Sequence, residues 1–299
     1  MKVIPAAVLI GTFWTSCLRA DVVLFGRSTD TIRVDNNLVT LGSAATYEAR
    51  ILFTAQHAGF GLIFNEHTFA LEDKQLLAGP EGLRAFSHGL TTETPGEIAA
   101  SIPLTSNVWH HVAYVYDGGQ ERLYLDGVLV KSRSASGSIR NNSGFAALGS
   151  NYREGAGRRP GFVGYIDTIR ISSVARYSGE RFRPPMGDLP GDGQAVLLYN
   201  FKQSVGQTLA MDESPLNRTG RLGLPPGTSA SAPVFTFDPA PTLFMTRTGD
   251  QVVLSWRAPF RLQSSTSVMG GFEDVEAAPN PFVVETTSLG ERFYRLWLP

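Results

Sequence analysis

The chain has 299 residues, a formal net charge of −1, 42% hydrophobic residues and 18% charged residues. That apolar content suits a packed core rather than a disordered chain. The near-neutral charge argues against non-specific nucleic-acid binding, which draws on a basic face. With one cysteine, Cys17, the chain can form no internal disulfide.

Met1 and Lys2 carry positive charge, Val3 to Trp14 is an apolar run too short to span a bilayer, and Thr15 to Ala20 is a small-polar exit. Residues 1–20 therefore read as a signal peptide cleaved after Ala20. Trp14-Thr15-Ser16-Cys17 resembles a bacterial lipoprotein box, so Cys17 either leaves with the leader or carries a lipid anchor. No later apolar run has the length of a transmembrane helix. The expected location is secreted or cell-surface.

Strands are predicted at Val22–Phe25, Thr31–Val34 and Ala45–Phe53. In the last, Ala45, Tyr47, Ala49, Ile51 and Phe53 alternate with Thr46, Glu48, Arg50 and Leu52, the period-two pattern of a half-buried strand. A strand pair at 60–69 and short strands near 75–77 and 83–86 follow, broken by glycines. Residues 91–100 read as a polar loop.

Val108–Tyr116 is rich in aromatic and β-branched residues. After a turn at Asp117–Gln120, Glu121–Leu125 and Val128–Lys131 form a hairpin across Asp126-Gly127, a type I′ turn sequence. This register buries the Leu123, Leu125, Val128 and Val130 face, leaves the Tyr124 end wetter, and sets Arg122 opposite Lys131. Residues 132–142 read as a surface loop, Phe145–Gly149 as a strand and Asn151–Gly161 as a Gly- and Arg-rich loop. A further strand spans Phe162–Ile171, with a turn of helix at 172–177.

The strand Ala195–Phe201 precedes short elements up to residue 223. Residues 225–241 read as a Pro/Ser-rich linker. Residues 242–299 form a small β module with strands at Gln251–Trp256, Phe260–Ser265, Phe282–Glu285 and Arg292–Trp297. The expected domain therefore spans 21–224.

Trp109-His110-His111-Val112-Ala113, Tyr116-Asp117-Gly118 and Leu123-Tyr124-Leu125-Asp126-Gly127 resemble the signature of laminin-G-like jelly-roll domains of the concanavalin A-like lectin and glucanase superfamily. Phe162–Ser172 with Ala175-Arg176-Tyr177 and Phe182, Pro184 and Pro185 is similar to that family's closing strand. The resemblance covers about Asp21 to Pro185 and implies an all-β jelly-roll sandwich of two antiparallel sheets. Leu198–Phe201, with Gly206–Thr208, Asp212 and Ser214, resembles a further family element, which either completes this sandwich or opens a truncated second copy. The last 58 residues resemble a C-terminal module of exported bacterial proteins.

The superfamily includes glucanases, and retaining hydrolysis needs two carboxylates about 5 Å apart. No Glu-x-Asp-x-Glu run is present. Glu72-Asp73 and Glu273-Asp274 are adjacent, so on a strand they face opposite ways, and Glu66 and Asp126 stand alone. His110 and His111 face opposite sides of one strand, which does not make a zinc pair. One reads as a core histidine and the other as exposed, beside the isolated His57, His67 and His88.

Asp167 lies in an otherwise apolar strand and, facing inward, needs a partner. The resemblance implies a structural calcium there, the one cofactor expected. The alternatives are that Asp167 caps a turn or pairs with an arginine such as Arg33 or Arg170. Trp109, Tyr114, Tyr116 and Tyr124 are core residues or a sugar-stacking face. Tyr152, Arg153, Arg158 and Arg159 in the Gly/Arg loop are the ligand-binding candidates. The function expected is non-catalytic recognition or adhesion, with a glycan or an extracellular protein as partner. A divergent polysaccharide hydrolase and a purely structural surface module are the alternatives.

Overall fold

A computed structural model describes residues 21–34, 40–67, 72–94, 96–141, 145–150, 160–185, 187–223, 231–239, 243–256, 261–276, 278–279, 281–285 and 292–297. The expected leader with Cys17 lies outside these residues, as do Tyr152, Arg153, Arg158 and Arg159. Among the described residues there is no helix, and every strand pair is antiparallel except for isolated bridges. The chain divides into two compact units between Phe237 and Asp238.

The first unit opens with β1 (Val22–Phe25), β2 (Ile32–Val34), β3 (Ala45–Phe53) and β4 (Gly61–His67). It continues with β5 (Glu72–Gly79), β6 (Gly82–Ser87), β7 (Leu90–Thr92) and β8 (Ile98–Ala100). Next come β9 (His110–Tyr116), β10 (Gln120–Leu125), β11 (Val128–Gly137), β12 (Phe145–Leu148) and β13 (Gly164–Ser172). β14 (Ala195–Tyr199), β15 (Leu209–Ala210), β16 (Gly220–Leu222) and β17 (Val234–Thr236) complete it.

These strands make a two-sheet jelly-roll sandwich. The nine-stranded sheet runs β17-β1-β13-β3-β9-β10-β11-β7, with β14 also on β13, and the eight-stranded sheet runs β15-β16-β2-β12-β4-β5-β6-β8. β13 lies along β3 on one side. On its other side β1 takes Gly164–Ile166 and β14 takes Ile169–Ser172. β16 pairs with β2, so residues 195–222 complete this sandwich and do not open a second copy. β17 pairs with β1, so the second half of the expected linker belongs to the sheet.

The alternation read in β3 is the reason the sandwich closes. Tyr47, Ala49, Ile51 and Phe53 join Val112, Tyr114 and Tyr116 of β9 and Leu76 and Ala78 of β5 in one core cluster. Burying each large side chain there stabilises the fold by roughly 1.5–3 kcal/mol. The expected polar loop at 91–100 contains β7 and β8, and β11 continues to Gly137 where a surface loop is expected. Ile139 beyond it is buried, its N–H donating to the carbonyl of Gly42.

The other face of the nine-stranded sheet is also covered. The expected helical turn at 172–177 does not form. Residues 173–185 cross β3, β9 and β10 as an extended strap. The Thr46 hydroxyl donates to the Val174 carbonyl at 2.8 Å and accepts from the Arg176 N–H at 2.9 Å. The Leu129 N–H donates to the Glu180 carbonyl and the Phe182 N–H to that of Gly127. The Tyr177 and Phe182 rings stack at 3.7 Å over Ala113, Val115 and Tyr124.

Tyr124 is therefore fully buried and Val128 exposed, the reverse of the sequence expectation. Asp126 and Gly127 take φ of 49° and 76°, as the type I′ turn requires. A bulge at Val130 then moves Lys131 opposite Leu123 and Ser132 opposite Arg122, so the like-charge pair is avoided.

The second unit contains β18 (Phe244–Thr248), β19 (Gln251–Ser255), β20 (Arg261–Ser265), β21 (Glu273–Asp274), β22 (Phe282–Glu285) and β23 (Phe293–Trp297). It has two three-stranded sheets, β18-β19-β22 and β21-β20-β23. Leu254, Trp256, Leu262 and Val284 form its core.

Candidate functional site

β6 carries Leu83 and Ala85 into the sandwich core, so Arg84 and Phe86 point to the outer face of the eight-stranded sheet. The chain then crosses to the other sheet through His88 and Gly89 and becomes β7, the last strand beside β11. Gly89 has φ of 97°, and a Cβ there would lie 2.6 Å from the Ser138 carbonyl oxygen. Only glycine lets the crossing chain approach this closely. The Arg140 N–H donates to the His88 carbonyl at 2.7 Å and fixes the turn.

At this crossing lies a cleft of about 330 Å³, lined by Phe86, His88, Leu90, Thr91, Thr92 and Arg133, with Ser87 at its inner side. The Phe86 and His88 rings lie 6.1 Å apart with 29° between their planes. The Ser87 hydroxyl shares a 2.8 Å hydrogen bond with the Tyr47 hydroxyl.

Arg133 builds one wall. Its Nε donates to Glu121 Oε2 at 2.6 Å, Nη1 to the Thr94 carbonyl at 2.7 Å and Nη2 to the Gly96 carbonyl at 2.8 Å. Glu121 is 1% exposed, and its other oxygen accepts from the Tyr114 hydroxyl at 2.8 Å. Burial, with Tyr47 and the Glu121 charge close by, pushes the Tyr114 phenol well above its ordinary value. The cleft is thus an aromatic and hydroxyl surface on a rigid polar base. Ligand sites of this kind combine apolar lining with a few placed polar groups.

The buried carboxylates Glu48 and Glu66 are engaged in the fold. Glu48 accepts from Arg170 Nε at 2.8 Å and from the Tyr177 hydroxyl at 2.6 Å, and lies 3.1 Å from His111 Nε2. Desolvation alone would raise its carboxyl, but His111, Arg170 and Tyr177 together hold it below the ordinary value. Glu66 and Lys74 form a fully buried pair at 3.0 Å. Glu48, Glu66 and Glu121 each therefore face a cation within 3.0 Å. A hydrolytic carboxylate pair instead requires two acids facing a substrate groove.

Histidines 110 and 111 are both buried, so the expected exposed partner is not found. His111 lies under the strap, edge-on to Tyr177 and Phe182. His110 has Asp126 Oδ2 at 2.8 Å from Nδ1 and the Thr105 carbonyl at 3.1 Å from Nε2. With an acceptor at each nitrogen, the doubly protonated ring is favoured. The Asp126 hydrogen bond, against desolvation, raises the His110 pKa. His57 is buried, and desolvation lowers its pKa.

Asp167 sits in a β-bulge of β13 between Ile166 and Thr168, which turns it out of the core. Arg50 Nη1 binds its Oδ2 at 2.6 Å and Lys202 Nζ stands 3.6 Å from Oδ1. The partner is thus an arginine, as in the alternative reading, but Arg50 rather than Arg33 or Arg170. The calcium expectation does not fit this residue: two cations already neutralise it. Among the described residues no group of three or more His, Cys, Asp or Glu is placed to hold a metal.

Tyr114, Tyr116 and Tyr124 are fully buried and present no sugar-stacking face. Trp109 is partly exposed and carries the Arg50 guanidinium 4.5 Å from its ring centroid. The cleft itself escaped the sequence reading. Its signal was the period-two run Arg84, Phe86, His88, which continues one step past the predicted end of the strand.

Residues 26–180, more than half of the chain, match the Laminin_G_3 family of the concanavalin A-like lectin/glucanases superfamily. The chain belongs to that family. Among solved structures it is similar to a protein from Bacteroides ovatus ATCC 8483 proposed to bind carbohydrate. Identity there is 22% and TM-score 0.51, over 73% of this chain and 62% of the other. The chain thus spans about three fifths of that protein's length. It is also similar to domain 4 of the GH43 extracellular arabinanase AbnA from Geobacillus stearothermophilus, solved with arabinotriose: 17% identity, TM-score 0.40, 52% and 75% coverage. Mouse laminin alpha1 domains LG4-5 match at 15% identity and TM-score 0.38, covering 56% and 48%. A search of curated protein sequences gave no match. No helix among the described residues is long and apolar enough to cross a membrane.

Proposed function

We propose that this is an exported, non-catalytic carbohydrate-binding protein that holds a neutral glycan in the cleft at the β6–β7 crossing. The observation that carries the reading is the lining of Phe86, His88, Thr91 and Thr92 beside a base whose charges are already paired. An aromatic ring offers an apolar sugar face a stacking surface, and threonine hydroxyls complement its edges, that of Thr92 as an acceptor because it donates its proton to the Thr94 carbonyl at 2.7 Å. Arg133 is spent on Glu121 and on the 94–97 backbone, so the cleft offers it to no carboxylate or sulfate. The carbohydrate binding proposed for the Bacteroides ovatus protein of similar fold is in line with this. Export by the leader of residues 1–20 belongs to the same reading.

The test is calorimetric titration of the purified protein with neutral trisaccharides (arabinotriose, xylotriose, cellotriose and maltotriose), with polygalacturonate as the acidic comparator. Binding of at least one neutral sugar is expected, weakened about tenfold or more by Phe86→Ala. Reducing-end release is expected to stay at background. Absence of neutral binding, or equal binding by Phe86→Ala, refutes the site. Steady release of reducing ends refutes the non-catalytic role.

A further inference from the structure

Gln75 of β5 lies directly opposite Phe86 of β6. Leu76 and Ala78 point into the sandwich core, so Gln75 shares with Phe86 the outer face of the eight-stranded sheet. On that face the direct pairs continue the row through Asn65 of β4, Ala147 of β12 and Arg33 of β2. Adjacent members are about 4.8 Å apart in the pairing direction.

Outer positions of an antiparallel sheet commonly meet water, yet Gln75 is fully buried. Neither its side-chain oxygen nor its nitrogen has a hydrogen-bond partner. A buried amide with both ends unanswered is rare in a native protein and destabilises the ligand-free state. Such a group is explained if something absent from the free protein answers it.

We infer that the Gln75 amide is the deep recognition group of the cleft and takes two neighbouring hydroxyls of a neutral sugar. This rests on the carbohydrate reading of the cleft. One hydroxyl donates to the amide oxygen, and the next accepts from the amide nitrogen. Phe86 joins the two places: it lines the cleft and is the direct cross-strand neighbour of Gln75. Gln75 is fully buried and lies behind the lining residues, so the Phe86 ring must turn aside for a sugar to reach the amide. No charge enters this recognition, because Arg84, on the same face, is stacked 3.9 Å over Phe60 and paired with Glu97.

Gln75→Met keeps the length and removes both polar atoms. Without ligand, the variant is expected to melt at the wild-type temperature or a few degrees above it, because an unanswered amide is gone. Its affinity for whichever of the four trisaccharides the wild type binds is expected to fall about tenfold or more. A melting temperature several degrees lower with unchanged affinity means that an ordered water answers Gln75, and overturns the inference while leaving the carbohydrate reading intact. Absence of trisaccharide binding by the wild type overturns both. If Gln75→Met does not fold, the wild type decides: the Gln75 side-chain amide resonances must shift during titration with the bound trisaccharide. Resonances that stay fixed at saturation refute the assignment.

Discussion

Replacing Arg133 by Met tests the base of the cleft. The Arg133 side chain is 9% exposed and that of Glu121 1%, and their atoms meet at 2.6 Å. The substitution keeps most of the aliphatic stem but leaves the Glu121 carboxylate buried with only the Tyr114 hydroxyl as donor. Removing one member of a buried ion pair costs about 3–5 kcal/mol. The bonds to the Thr94 and Gly96 carbonyls lie at the surface and add little. The double variant Arg133→Met/Glu121→Gln restores neutrality and is expected within about 1–2 kcal/mol of wild type, the difference being ordinary hydrogen bonds. Urea denaturation followed by near-ultraviolet circular dichroism suits the measurement, since Tyr47, Tyr114 and Tyr116 are packed in the sandwich and Tyr124 under the strap. A single-variant loss below about 1 kcal/mol, or a double variant as unstable as the single, refutes the claim that charge compensation holds this wall.

Three further outcomes are expected. A Cβ at Gly127 would lie 2.1 Å from the Phe182 carbonyl oxygen at φ of 76°, so Gly127→Ala is expected to cost at least about 2 kcal/mol, read as a lowered melting temperature. Tyr177→Phe keeps the stack on Phe182 and loses the 2.6 Å bond to Glu48. A loss of about 1–3 kcal/mol is expected, with faster hydrogen exchange at the Leu129 amide, which the strap holds. The His110 pKa is raised in the folded state. Its contribution is therefore complete below the unfolded value of about 6.5 and lost as pH rises through the folded pKa. Asp126 is depressed, desolvation being outweighed by its bonds to His110 and to the His111 N–H, and its share is lost as pH falls through its own folded pKa. Wild-type stability relative to His110→Gln is thus expected to fall as pH rises above about 6.5, and a flat difference refutes the pairing.

The sandwich was legible because its strands repeat with period two and its turns use residues with few alternatives. Ala45–Phe53 and Asp126-Gly127 are of that kind. Register was less legible. The bulges at Val130 and Asp167 each insert one residue that the alternation cannot announce, and they shifted the cross-strand partner of Arg122 and the ion-pair partner of Asp167. The strap was missed because a sheet face covered by irregular chain has the same pattern as one facing water. The cleft was hardly legible at all. It is made by a crossing between sheets, and Phe86, Thr92 and Arg133 meet only once β6, β7 and β11 are in place.

The pairing of β17 with β1 sets Val22 beside Thr236, and Val23 beside Phe235. More than two hundred residues of chain must be looped to make that contact, an entropic demand met only after the intervening strands have condensed. The first strand emerging from the ribosome therefore waits for the last one of the unit. Until residue 236 is made, β1 has one unfilled edge, and the sandwich stays open to local unfolding at its seam.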